Sequence, residues 1–283
     1  MRIVSWNIQA GLGVDGRHDL ERIATVIAAL GDADVICLQE VACNVSAVGD
    51  GADQITWLRH RYPGWSVHFG AAVDRLSADA HPAAPRARFG NVVLSRLPVL
   101  QCFRHPLPQP ADPTTRHMPR QATEVIVGTG AGPLRIVTTH LEFHSEPQRE
   151  AQVRHLLALQ AELGEAAAHP PTAPPDGLYA AVPRPSASVL CGDFNLETTS
   201  RAYRALTGDG ATGPYRDAWT LAHPALTHAP TCGVHDRAQW PQGPHCRDFF
   251  LCTEEIAPRV RELVVNVETS ASDHQPLLLV LDD

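Results

Sequence analysis

Apolar residues along this chain come mostly in short, β-rich runs punctuated by turn residues, with a few stretches of helical spacing between them. "RIVSWNI" (2–8) reads as a strand, and "DLERIATVIAAL" (19–30) places Leu20, Ile23, Ile27 and Leu30 at helical spacing. "ADVICLQEV" (33–41) is almost entirely apolar until it ends in polar residues. A strand that is apolar on both sides is covered on both sides, so this strand–helix–strand opening predicts an α/β unit with a buried sheet. "DQITWLRHRY" (53–62) and "EPQREAQVRHLLALQAELGEAAA" (146–168) are the further helices. "WSVHFGAAV", "FGNVVLS", "PVLQCF", "ATEVIVG" and "LRIVTTHL" follow one another as strands, which argues for antiparallel pairs and against a purely parallel sheet. "SVLCGDFNL", "DFFLC", "VRELVVNVE" and "QPLLLVLDD" complete the strand set. The Pro-rich segment 169–188 is expected as an irregular surface loop entering the N-terminal end of "SVLCGDFNL", with no catalytic role. No repeat and no second boundary is visible, so a single mixed α/β domain over 1–283 is expected.

Composition narrows this picture without changing it. The chain has 283 residues, 44% of them hydrophobic, which is enough to bury a large core without a disulfide or metal staple. Its net charge of −8 speaks against a basic stripe that tracks a polyanion, although a local basic patch remains compatible with it. Seven cysteines, an odd number with no C-x-x-C pair, suggest neither a zinc knuckle nor a disulfide framework, and Cys37, Cys191 and Cys252 read as small core residues. No secretory h-region and no membrane-length apolar run is present, so a soluble, cytoplasmic protein is the expectation.

Candidate chemistry sits where the β runs end. These ends carry Asn7, Glu40, His140, Asp193, Asn195, Asp248, Asp273 and His274. Strand ends are where active sites of sheet proteins gather. Brought together, these carboxylates would repel one another in a low-dielectric cleft, and a divalent cation relieves that repulsion. Carboxylate and amide oxygens are the donors that Mg²⁺ and Mn²⁺ prefer. Singly, each residue has a plainer reading: Asn7 as a turn cap, Glu40 as an exposed strand end, His140 as a core histidine, "GDFN" as an Asx turn. Asp248 directly before Phe249, Phe250 and Leu251 resists such a reading, because a buried carboxylate needs a partner. Asp193 and Asn195, two apart, face the same way on an extended backbone. "SDH" reads as a turn feeding the last strand, which lets Asp273 and His274 serve one site.

The order of these pieces is more specific than any one of them. W-N, Q-E, G-N-x-x-x-S, T-H-L, G-D-F-N, R-D-F and S-D-H, from Asn7 to His274, resemble the endonuclease/exonuclease/phosphatase superfamily. The resemblance implies a two-sheet α/β sandwich flanked by helices, in four α/β/β/α layers like deoxyribonuclease I. It also implies Mg²⁺- or Mn²⁺-dependent hydrolysis of a phosphoester, the substrate being a nucleic acid or a small or lipid-headgroup phosphodiester. Carried onto this chain, Glu40 matches the principal metal-binding glutamate, Asn7 the asparagine beside it, and Asp273 the remaining metal-side carboxylate. His274 matches the catalytic histidine and Asp248 the aspartate that orients it. Asp193 and Asn195 match the pair that positions water and phosphate, and His140 a histidine that bonds a phosphate oxygen. The family's acidic partner for that histidine has no counterpart in "PAAPRARFGN". Arg86, Arg88, Arg116, Arg120, His245 and Arg247 are candidates for a phosphate-binding rim, or for ordinary solvated loops. Trp240 reads either as a stacking residue or as a half-buried loop tryptophan. The alternative from another class is a catalytically silent phosphate- or nucleic-acid-binding module of the same fold.

Overall fold

A computed structural model describes residues 1–76, 84–170, 172, 174, 176–208 and 213–282. Twelve strands are assigned among them: β1 (Arg2–Asn7), β2 (Val35–Cys43), β3 (Ser66–Leu76), β4 (Arg86–Ser95), β5 (Val99–Pro106), β6 (Gln121–Thr129), β7 (Gly132–His140), β8 (Ser188–Asp193), β9 (Tyr215–Asp217), β10 (Asp248–Thr253), β11 (Val260–Val265) and β12 (Leu277–Leu281). They form two six-stranded sheets, ordered β11-β12-β1-β2-β4-β3 and β5-β6-β7-β8-β10-β9. Only β1/β2 and β7/β8 pair in parallel; the other pairs are antiparallel.

Strand alternation explains the layers. Ile3 on β1, Val35 and Cys37 on β2, Ile136 on β7, Val189 and Cys191 on β8 and Phe250 on β10 meet in one buried cluster between the sheets. The alternate residues Val4, Trp6, Ile36 and Leu38 face outward beneath α1 (Leu20–Ala29) and α2 (Gln54–Arg61). Val137, Leu190 and Phe249 do the same beneath α3 (Glu146–Ala168) and α4 (Arg201–Thr207). With helices on both outer faces the strands are covered on both sides, which is why they read as nearly continuous apolar runs. The result is the expected helix-flanked sandwich.

Local capping fits the sequence. Asp19, Asp53 and Ser145 each accept a hydrogen bond from the first turn of α1, α2 and α3. α4, β9 and the short α5 (Ala218–Ala222) had no sequence signal, because helices of 7 and 5 residues and a strand of 3 are too brief to show a period. Where it is described, the Pro-rich segment is irregular and enters the N-terminal end of β8; residues 171, 173 and 175 lie outside the described set. It is nonetheless anchored. Arg184 donates to Glu124 Oε1 at 2.7 Å and stacks on Phe103, and buried Arg135 donates to Pro185 O at 3.2 Å. No helix among the described residues is long and apolar enough to cross a membrane, and all seven cysteines are free.

Candidate active site

The site lies where the inward-facing rows of the sandwich turn polar. On β1 the row runs Ile3, Ser5, Asn7; on β7 it runs Ile136, Thr138, His140; on β8 it runs Val189, Cys191, Asp193. Just above the apolar layer, Gln39 Nε2 reaches from β2 across to Thr138 Oγ1 on the other sheet at 2.8 Å. Parallel strands β1, β2, β7 and β8 finish at this end, and antiparallel β10 and β12 start there. Residues from six separate strand ends therefore converge without any being adjacent in sequence except Asp273 and His274. Those two sit in the bend before β12, as the "SDH" reading expected.

Two backbone devices aim the side chains. Glu40 has φ +59°, and the β2/β4 register slips between Leu38 and Val41, so β2 carries a bulge at Gln39–Glu40. A bulge puts two successive residues toward one face, and left-handed backbone at a non-glycine residue is held only where its surroundings enforce it. Glu40 is thereby turned to the cleft. Asn195 also has a positive φ, +50°, and its N–H donates to Asp193 Oδ1 at 2.9 Å. The Asx turn, and not strand alternation, is what brings Asp193 and Asn195 together. Just before them, Gly192 has φ +131° and lies so close to β7 that a Cβ would stand 1.9 Å from Thr139 O.

His274 Nδ1 lies 2.8 Å from Asp248 Oδ2, and its Nε2 lies 3.6 Å from Asp193 Oδ2 and 3.9 Å from Asp273 Oδ2. Burial alone would disfavour a charged ring, but the three carboxylates outweigh it and hold His274 well above the ordinary histidine range. Burial raises the Asp248 carboxyl to about 6, against the opposing pull of the His274 charge. Donor atoms of Asp193, Asp248 and His274 fall within 4.8 Å of one another. A ring held protonated has no lone pair for a metal, so this trio suits proton handling better than ligation.

His140 is the opposite case. Burial, joined by the Arg120 charge, pushes it down to about 3. Asn195 Nδ2 lies 3.1 Å from His140 Nε2 and donates to Leu141 O at 3.0 Å. Neutral His140 thus accepts at Nε2, which leaves its N–H at Nδ1, 3.9 Å from Glu40 Oε1. Acidic neighbours come from elsewhere in the fold, Asp193 Oδ2 lying 3.4 Å from His140 Nε2, while Arg120, 7% exposed and held by Glu142 Oε2 at 3.2 Å, lines the same cleft.

On the other wall, Asn7 Nδ2 donates to Glu40 Oε1 at 3.1 Å and to Asp193 Oδ2 at 3.0 Å, while its Oδ1 accepts from Gln9 N at 3.1 Å. The amide bridges two carboxylates with its donor side. Burial and the nearby Asp273 charge push Glu40 up to about 7. Such crowding of two hard-oxygen donors at a cleft fits a divalent cation, which would remove the repulsion. Asp273 is itself fastened by Gln239 Nε2 at 2.6 Å, Trp240 Nε1 at 3.2 Å and Ser272 Oγ at 3.2 Å.

Glu40, His140, Asp193, Asn195, Asp273 and His274 line a cleft of about 480 Å³ together with Arg116, Arg120, Phe143, His144, Gln239 and Trp240. All eight residues singled out from the sequence meet at it or directly behind it. Of the candidate rim residues, Arg116 and Arg120 line it. Arg86 is ion-paired with Asp74, Arg88 stacks on Phe69, and neither lines the cleft; His245 packs behind Trp240. Trp240 is 3% exposed, edge-on to His274, so it braces the site from within and offers no free stacking face. Sequence reading passed over Glu142 and Gln239, and also Thr231, whose Oγ1 donates to Asp248 Oδ2 at 2.6 Å. Glu142 had a signal, two residues past His140 in the same run; Thr231 and Gln239 join through loops and had none.

Residues 4–274 match the model of the Endonuclease/Exonuclease/phosphatase family. An endonuclease/exonuclease/phosphatase from Beutenbergia cavernae DSM 12333 is 25% identical with a TM-score of 0.68, covering 99% of this chain and 71% of its own. The mannosyl-6-phosphatase Bt3783 of Bacteroides thetaiotaomicron VPI-5482 is 15% identical with a TM-score of 0.67 over 100% of both chains. The human Nocturnin catalytic domain is 19% identical, TM-score 0.61, covering 100% of this chain and 93% of its own. No curated protein matches.

Proposed function

The chain belongs to the endonuclease/exonuclease/phosphatase family, and from that premise we propose that it hydrolyses a phosphoester with the help of Mg²⁺ or Mn²⁺. The observation that carries this reading is the buried His274–Asp248 pair, 2.8 Å apart, with ionised Asp193 on the far nitrogen of the ring and the Glu40–Asp273 carboxylates beside it. Glu40 and Asp273 would hold the cation, with Asn7 fixing Glu40 and the Gln239–Trp240 pair fixing Asp273. When bound, the cation supplies charge neutralisation for an anionic phosphoryl group.

The chain's own residues do the rest. His274, cationic and oriented by Asp248, faces the phosphoryl oxygens and stabilises the charge that grows on them. Asp193 accepts the proton of the attacking water at Oδ2 as the water oxygen bonds phosphorus and the P–O bond to the leaving group breaks, the leaving oxygen taking its proton from solvent. Asn195 holds the His140 ring, and His140 and Arg120 present N–H groups toward the substrate. The cleft's volume suits a compact phosphoester or the end of a single strand.

The test is a hydrolysis screen with Mn²⁺ or Mg²⁺ over bis-p-nitrophenyl phosphate, p-nitrophenyl phosphate, single-stranded and plasmid DNA, RNA, inositol phosphates and sphingomyelin. Turnover is expected on at least one, falling by about a thousandfold or more in His274→Ala. Divalent cations should raise the melting temperature of the wild type and not of Glu40→Gln. Turnover that persists in His274→Ala would overturn the assignment. Metal binding without turnover on any of them would point to the silent module.

A further inference from the structure

A second cleft of about 370 Å³ opens beside the first, and Phe143 and Asn195 line both. Phe143 is 41% exposed and stands edge-on to Trp240, a partition between the two spaces. Three arginines from separate elements line the second cleft: Arg149 from α3, Arg201 from α4, and Arg247 just before β10. Their pairing is incomplete. Arg247 has the exposed Glu197 carboxylate 3.7 Å away; its Nε donates to His245 Nε2 at 2.8 Å, its Nη1 donates to Asn195 O at 3.2 Å, and its guanidinium lies over the Phe143 and Trp240 rings. Arg149 Nη1 donates to the carbonyls of Glu142 and Phe143 at 2.7 and 2.9 Å, and among the described residues neither Arg149 nor Arg201 has an ion-pair partner. Of the other acids there, Glu150 is turned to Arg154 at 3.6 Å, and Glu146 lies in the first turn of α3, where the helix end favours it. Burial first, and then the nearby Arg247 charge, depress the Arg149 guanidinium against the opposing pull of Glu146, Glu142 and Asp193.

We infer that the second cleft binds a further phosphate of the substrate, so that the bond cleaved at His274 belongs to a nucleotide-type phosphodiester carrying another phosphate on the far side of Phe143. This rests on the first cleft being the hydrolytic site. A bound phosphate would relieve the repulsion between Arg149 and Arg247 and take a further contact from exposed Arg201, the planar forks of arginine suiting phosphate oxygens. Phe143, exposed between the two clefts with Arg247 over its ring, gives the sugar or base between the two phosphates an apolar surface to contact. An acidic protein can take such a substrate because recognition needs only two adjacent sites and no basic stripe.

The dithymidine diester TpT and its forms carrying an added 5′ or 3′ phosphate, pTpT and TpTp, provide the test. Their affinities are measured by isothermal titration in EDTA, where no turnover occurs, and their hydrolysis is followed separately with Mn²⁺ beside bis-p-nitrophenyl phosphate. One phosphorylated form should bind about tenfold more tightly than TpT, within the range of a charge-assisted phosphate contact. Arg201→Gln and Arg149→Gln should each cut that advantage to less than about threefold and leave TpT within about twofold of wild type. Arg201 is exposed and makes no ion pair, so its replacement leaves the fold intact and the comparison clean. Equal affinity for the three ligands, binding of none, or an advantage that survives both substitutions would overturn the inference. Tight, arginine-dependent binding with no hydrolysis of any substrate would instead refute the hydrolytic reading and leave the second cleft standing.

Discussion

Acidification should strip this protein of about 3 kcal/mol that belongs to one buried carboxylate, Glu124 on β6. Its side chain is 0% exposed, and it is met by Arg184 Nε at 2.7 Å, His105 Nε2 at 3.1 Å and Arg135 Nη1 at 3.5 Å. Burial opposes its ionisation, but the hydrogen bonds from His105 and Arg184 and the Arg135 charge outweigh that and bring it from 4.5 to about 2. At about 1.4 kcal/mol for each pH unit, the difference is worth about 3 kcal/mol. Because the folded carboxyl ionises at lower pH than the unfolded one, this stabilisation is complete above pH 4.5 and fades as pH falls toward 2. Glu124→Gln removes the charge and leaves Arg135, 1% exposed, without its carboxylate, so a loss of about 3 kcal/mol at pH 7 is expected. Urea unfolding of both proteins across this pH range, compared pairwise, cancels the other carboxylates. The gap should close to below about 1 kcal/mol near the acid end. A gap that is small at neutral pH, or that stays constant with pH, would refute the ion-network account. Glu124 does not line the cleft, so turnover at pH 7 should change less than about twofold.

Two further substitutions probe the frame of the site. Gly192→Ala drives a methyl into Thr139 O at a backbone angle that side chains rarely adopt, so a destabilisation of about 3 kcal/mol is expected by thermal or urea unfolding; a near-neutral effect would mean that β7 and β8 can part there. Trp240→Phe keeps the ring but removes the N–H that binds Asp273, and the Mn²⁺ dissociation constant read by calorimetry should rise about tenfold; unchanged affinity would remove Trp240 from the support of the metal side.

The sequence by itself determined the strands and helices long enough to show a period. It also located Asn7, Glu40, His140, Asp193, Asn195, Asp248, Asp273 and His274 at strand ends, because a row of inward apolar residues that turns polar is visible in one dimension. Tertiary structure decided what these residues touch. The tie from Trp6 Nε1 to His274 O joins positions 268 residues apart. The clamp of Gln239 and Trp240 on Asp273, the Thr231 bond to Asp248, and the Arg120–Glu142 pair beside His140 all join loops to strands that sequence spacing does not relate. The bulge that turns Glu40 inward left no mark either, since backbone angles are set by the opposing strand as much as by the residue itself. Local patterning therefore fixed which residues reach the mouth of the sandwich. Packing of the two sheets fixed their partners, their charges and the partition at Phe143, because those depend on distances between segments that only folding brings together.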